Sequence, residues 1–127
     1  MKPLMKILVA YDGSASSDKA LIEAMDLAEK YKGSIILTQV AWEKSDETVH
    51  AQLIPVEERL KKAGIKYKLR IERSEYIPRQ IVRVASDEAC DLITIGSRGL
   101  GEAKAWVLGS VSRKVIEDAH CPVLIVK

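Results

Sequence analysis

The chain has 127 residues, 47% of them hydrophobic and 30% charged, with 20 Lys and Arg against 18 Asp and Glu and a formal net charge of +2. A chain of this length buries roughly two thirds of its unfolded surface, so it has room for one ordinary core, and its composition excludes intrinsic disorder. The near-balance of charge excludes the basic footprint of a nucleic-acid binder, and no apolar run approaches the roughly 20 residues of a membrane span.

The predicted elements alternate along the chain. "KILVAY" (Lys6–Tyr11) is aliphatic and β-branched without polar alternation. That is the pattern of a strand covered on both faces, as in a parallel sheet. "DGS" ends it as a turn. In "SSDKALIEAMDLAEKYKG", Ala20, Leu21, Ala24, Met25 and Ala28 recur at helical spacing. Ser16 or Ser17 is expected to cap this helix and Gly33 to end it.

"SIILTQVAW" reads as a second strand. "EKSDETVHAQLIPVEERLKKAG" is polar first and helical later. Pro55 either opens that helix or interrupts a longer one, and Gly64 stops it. "IKYKLRIER" alternates apolar and charged residues, so it is a strand with one wetter face, expected at a sheet edge. "PRQIVRVASDEAC" is a third helix with Pro78 in its first turn and Ile81, Val84 and Ala85 as its stripe. "DLITIG" is a buried strand. "SVSRKVIEDAH" is a fourth helix, with Ser110 as cap and Val111, Val115, Ile116 and Ala119 facing inward. "PVLIVK" is the last strand.

This β-α-β-α-β-α-β-α-β order predicts one α/β domain over residues 1–127, with a parallel sheet between helices made by right-handed crossovers. Ligands of such sheets bind beyond the carboxyl ends of the strands, where the strand order reverses. The first strand delivers Asp12-Gly13-Ser14 to that edge, and the fourth delivers Gly96.

From Gly96 runs "GSRGLGEAKAWVLGS", which holds four of the chain's seven glycines. Glycine lets backbone N–H groups approach an anion without a Cβ in the way. The stretch leads into a helix N-terminus, where Gly109-Ser110 offers free N–H groups and the positive end of the dipole. Arg98 and Lys104 stand nearby as optional charge. Most phosphate motifs fail here. A Walker A pattern from Gly96 reaches Gly101 but then meets Glu102 instead of Lys. The dinucleotide pattern from Gly99 meets Lys104 where its last Gly belongs. A receiver domain wants paired acids, and Asp12 stands alone.

One pattern fits. Gly96, two residues, Gly99, nine residues and Gly109-Ser110 match G-x2-G-x9-G-S/T, and the chain thereby resembles the nucleotide-binding branch of the universal stress protein family. "ILVAYDGS", "DLITIGSRG" and "LGSVSRKVIEDAHCPVLIVK" extend the resemblance over nearly the whole chain.

The resemblance implies an adenine nucleotide alpha hydrolase-like fold, a five-stranded parallel sheet of order 3-2-1-4-5 with helices on both faces. It implies a dimeric stress-response sensor or switch that binds ATP, or ADP or AMP, with Mg²⁺ arriving on the nucleotide. Asp12 would hydrogen-bond the ribose, and the backbone around Val40 would meet the adenine edge. Ala10, Tyr11 and Ile95 would line the base and sugar pocket. Gly96, Ser97, Arg98 and Gly99 would begin the phosphate loop. Gly109, Ser110, Val111 and Ser112 would hold phosphates from the helix end. The family often has Gly-x-Pro where this chain has Tyr76-Ile77-Pro78. Tyr76 is left to stack on a base, fill the pocket or pack on the core. If it closes the pocket, the chain is an interaction module that binds no nucleotide.

No side chain reads as a general base for a γ-phosphate, so slow ATP hydrolysis is the most that is expected. Adenylyl chemistry is disfavoured by the missing Ser-Gly-Gly-x-Asp-Ser loop. His50, His120, Cys90 and Cys121 lack metal-ligand spacing, and both cysteines read as small buried residues. With no signal peptide in "MKPLMKILVAYD", a cytoplasmic protein with reduced thiols is expected. Trp106 reads as a hydrophobic anchor or a dimer contact. "PVLIVK" is apolar on both faces with only Lys127 to protect its edge, which invites pairing with another chain. The resemblance implies a homodimer through this strand, residues 122–127.

Overall fold

In the computed structural model, which describes residues 5–97 and 108–127, five strands lie side by side. They are β1 (Lys6–Ala10), β2 (Ser34–Val40), β3 (Tyr67–Glu72), β4 (Leu92–Gly96) and β5 (Val123–Val126). All neighbouring pairs are parallel and the order is β3-β2-β1-β4-β5. Four helices connect them: α1 (Ala15–Tyr31), α2 (Asp46–Lys62), α3 (Ile77–Asp87) and α4 (Ser110–Asp118). The predicted α/β class, strand order and helix sequence all hold.

The continuous apolar run of β1 has its explanation in two cores. Ile7 and Val9 face one side with Ile35 and Leu37, beneath Leu21, Ala24 and Ala28 of α1 and Val49, Leu53 and Leu60 of α2. Leu8 and Ala10 face the other with Ile36, Ile93 and Ile95, beneath Ile81, Val84 and Ala85 of α3 and Val115 of α4. Burying such a side chain fully is worth about 1.5–3 kcal/mol, so both layers stabilise the central strands. The alternating strand, β3, lies at one edge as expected, and β5 lies at the other.

Helix boundaries correct several expectations. Ser14, not Ser16 or Ser17, caps α1: its Oγ accepts from the Ser17 N–H at 3.1 Å. Ser17 instead donates its hydroxyl to the Ser14 carbonyl at 2.9 Å. At the other end Lys32 takes the left-handed conformation, with φ 53°, that Gly33 was expected to supply. Gly33 is needed for space, since a Cβ there would meet the Met5 carbonyl oxygen at 2.4 Å. Helix α2 begins at Asp46, because Ser45 caps it and Asp46 and Glu47 complement the dipole of its first turn. Pro55 therefore falls inside a longer helix.

In α4 the cap is Gly109, and Ser110 is the first helical residue. Ile116 is 44% exposed, so it does not face inward. Ser112 is buried in its place with Val115. A hydroxyl is tolerated there because it donates to backbone carbonyls, of Ser97 or of Gly109, each at 3.1 Å.

Cys90 is buried in the α3–α4 layer, whereas Cys121 is only partly so, which corrects the expectation for the latter. Burial pushes the Cys90 thiol up to about 12, with a smaller push from Cys121. Burial, then its hydrogen bond to Asp18, also raises Tyr11. Both groups favour the neutral form in the folded state. Their contribution is full below the ordinary thiol value near 8.5 and is lost as pH climbs toward 12. Urea unfolding should therefore show lower stability at pH 11 than at pH 8, by on the order of 1–3 kcal/mol, and Cys90→Ala should flatten part of that slope.

Candidate functional site

Strand order reverses between β1 and β4, since β1 leads outward to β2 and β4 leads the opposite way to β5. A parallel sheet parts its loops at such a point and leaves a crevice beyond the strand ends. The crevice here is a cavity of about 470 Å³. Its floor is the C-terminal ends of β1, β2 and β4, and one wall is the N-terminus of α4.

Of the predicted site residues, Ala10, Tyr11, Asp12, Val40, Ile95, Gly96, Gly109, Ser110, Val111 and Ser112 line this one cavity. They come from four separate places in the sequence. Arg98 and Gly99, with Gly101, Lys104 and Trp106, lie outside the described residues. Ser97 does not line the cavity. It is buried and serves as an anchor. Its N–H donates to Val126 C=O at 2.9 Å, and its C=O accepts from the Gly109 N–H at 2.7 Å.

The Asp12 turn is built locally. Asp12 Oδ1 accepts from the Ser14 N–H at 2.9 Å, a side-chain mimic of a backbone turn. Gly13 between them has φ +86°, where a Cβ would be strained. The Asp12 N–H points to Ser17 Oγ at 3.4 Å. Only the bond from the Ser14 N–H engages the carboxylate, through Oδ1. Among the described residues Oδ2 has no partner.

Beside it, Tyr11 donates its hydroxyl to Asp18 Oδ1 at 2.6 Å. The bond between the Tyr11 N–H and Thr38 C=O, at 2.9 Å, lies at the top of the β1–β2 ladder. Beyond it β1 turns away and β2 runs on to Val40 at the cavity edge.

The α4 wall is a source of donors. Gly109 caps the helix without a side chain. The N–H groups of Ser110, Val111 and Ser112 fall in the first turn, where an α-helix has no internal acceptors. The Ser112 hydroxyl lies within donating distance of the Ser97 and Gly109 carbonyls, each at 3.1 Å, which leaves its backbone N–H as the group it can offer to the cavity. The Ser110 side chain is exposed.

Gly96 lines the cavity and has a packing reason as well. A Cβ there would lie 2.3 Å from Ser16 Oγ and 2.7 Å from the Ser16 carbonyl carbon. The glycine admits the first turn of α1 against β4.

Sequence reasoning missed the rest of the lining. Thr38, Ala41, Trp42, Glu43 and Lys44 come from the end of β2 and the residues just after it, and Ile77 and Ile81 come from α3. The edge rule that singled out the ends of β1 and β4 applies equally to β2 and was the available signal. Tyr76 is 57% exposed with the Arg79 guanidinium 5.2 Å from its ring centre. It is not part of the lining, so it neither packs on the core nor closes the cavity. Among the described residues no three His, Cys, Asp or Glu side chains are grouped to hold a metal ion. No described helix is long and apolar enough to cross a membrane.

Open parallel sheet, two helices on each face and a deep crevice at the switch point together define a doubly wound α/β protein of the adenine nucleotide alpha hydrolase-like fold. Residues 3–127 match the universal stress protein family, and the chain belongs to it. It is 30% identical to a universal stress protein of Methanocaldococcus jannaschii, covering 96% of this chain and 81% of that one. It is 33% identical to one of Thermus aquaticus, covering 95% and 97%. A crystal structure of a universal stress protein in complex with cAMP has a TM-score of 0.81 to this fold, with 26% identity and 98% of both chains covered.

The Gly96 contact yields a prediction. Gly96→Ala should cost about 1–3 kcal/mol in urea unfolding, because either α1 or the end of β4 must shift. An unchanged midpoint would show that the two backbones are not in register at Ser16.

Proposed function

We propose that the chain binds an adenine nucleotide in the cavity at the switch point. The observation that carries this reading is the arrangement of that one cavity. Its lining combines an apolar slot, Ala10, Val40, Ile77, Ile81 and Ile95, with Asp12 and the α4 N-terminus. A planar base suits the slot. Ribose hydroxyls suit a carboxylate with one oxygen to spare. Phosphates suit a helix N-terminus whose first-turn N–H groups lack internal acceptors. The cAMP complex of the related protein supports the adenine assignment.

In this reading Ala10, Tyr11 and Ile95 line the base and sugar, with the Val40 backbone at the base edge. Gly109, Ser110 and Val111 meet the phosphates through backbone N–H groups, and the Ser112 N–H joins them. Gly96 and Ser97 shape the site from behind. Arg98 and Gly99 complete the phosphate loop by virtue of the family motif. Mg²⁺ would travel on the phosphates, the usual way this ion is held in nucleotide sites. The chain works as a dimeric sensor or switch, because among the described residues the outer edge of β5 pairs with no other strand. Two copies pairing along 122–127 would bury both edges at once.

Denatured, purified protein should release adenine nucleotide in chromatography, and calorimetry should show binding of AMP or of ATP with Mg²⁺. Absence of both at millimolar nucleotide would sink the reading. Asp12→Ala removes a charge-assisted bond of about 1.5–3 kcal/mol and should weaken binding roughly tenfold to a hundredfold. Light scattering at micromolar concentration should give twice the monomer mass, and a monomer there would refute the dimer.

A further inference from the structure

Lys44 occupies the rim of the cavity and touches the turn that carries Asp12. Its Nζ donates to the Asp12 main-chain carbonyl at 3.0 Å and to Gln52 Oε1 at 3.1 Å. Gln52 reaches up from α2 to lie against Gly13, so closely that a Cβ on Gly13 would fall 2.6 Å from its Nε2. Lys44 and Gln52 together brace the turn from the α2 side. Ser14 and Ser17 brace it from the α1 side. The Asp12 peptide is thus fixed from both sides, with Oδ1 already engaged.

Lys44 is itself held. Arg73, just beyond β3, donates to the Lys44 main-chain carbonyl and pairs with the Asp46 carboxylate. The ends of β1, β2 and β3 are therefore linked through one residue that lines the cavity, by its side chain to Asp12 and by its main-chain carbonyl to Arg73. An ammonium has three donors, and two are spent on the protein.

We propose that Lys44 is a positioning residue, one that aims the Asp12 carboxylate at the ribose hydroxyls of the bound nucleotide. This rests on the adenine-nucleotide reading of the cavity. It favours a nucleotide with a free ribose hydroxyl over one with none, because such a hydroxyl is the group that meets Asp12. The Lys44 donors hold the backbone of Asp12 still, so the free carboxylate oxygen keeps one direction before the sugar arrives.

The test compares AMP with its 2′,3′-dideoxy analogue by calorimetry on the intact chain. Lys44→Met keeps the apolar stem and removes the donors. It should lower AMP affinity by roughly tenfold, the size of one charge-assisted contact, and leave the dideoxy analogue within about twofold. Lys44→Arg restores a donor and should recover most of the AMP affinity. In an Asp12→Asn background Lys44→Met should cost little more, since the two residues act through one contact.

Equal losses for the two nucleotides would overturn the proposal, as a merely structural role predicts. Additive losses in the double variant, or unchanged AMP affinity in Lys44→Met, would overturn it too. A wild-type chain that binds neither nucleotide would refute the reading of the cavity itself, a different result from a wild type that binds both with no dependence on Lys44.

Discussion

The approach of α1 to β4 at Gly96 governs the geometry of the whole C-terminal edge. The backbone of Ser16 sits where any side chain on residue 96 would be. This fixes the first turn of α1 against the sheet. Ser14 is then the residue placed to cap that helix, and Asp12 is the residue whose carboxylate meets the Ser14 N–H. The cavity lies beyond the strand ends, with Ser14 and Ser17 lining it from the α1 side and Ile77, Ile81 and the start of α4 from the other. A larger residue at 96 would move α1 first and the Asp12 turn with it.

The polar groups around the cavity divide into those consumed by the fold and those left over. Ser14, Ser17, Ser97 and Ser112 all sit at the edge, and all four hydrogen-bond to neighbouring backbone. Each is buried, and burial without a partner would be costly. Among the described residues the groups left over include one oxygen of Asp12, the Ser110 hydroxyl and the N–H groups of the first turn of α4. This residue of unspent capacity has one acceptor pole and one donor pole. It is a more selective description of the site than a count of serines and glycines.

The fold was legible because its signals are periodic and redundant. The unbroken apolar run of β1 and the charged alternation of β3 told a central strand from an edge strand before any pairing was known. Boundaries were harder. Ser14, Ser16 and Ser17 have the same capping chemistry, and only the positive φ at Gly13 decides which of them is presented to the helix. Ile116 failed because α4 spends a buried position on Ser112, a choice dictated by a carbonyl far away in sequence at Ser97. At the site, the chemistry-bearing residues could be read from the strand ends and the spaced glycines. Thr38, Trp42 and Lys44 are marked only by the rule that ligands bind beyond strand ends, which holds for β2 as for β1 and β4, while nothing in their own residue types sets them beside Asp12. The reason for Gly96 was also hidden, because a close approach between distant segments leaves no trace in spacing.

The hydrogen bond from Gly109 to Ser97 joins the two ends of the stretch between them at 2.7 Å. Both of its partners belong to the framework: one extends β4 and the other starts α4. Closing a longer loop costs only slowly more entropy, about 0.6 kcal/mol per doubling of length. With the ends already clasped, residues added between them change neither the strand nor the helix axis. The clasp thus sets where this stretch leaves the sheet and where it returns to the helix, independently of its length.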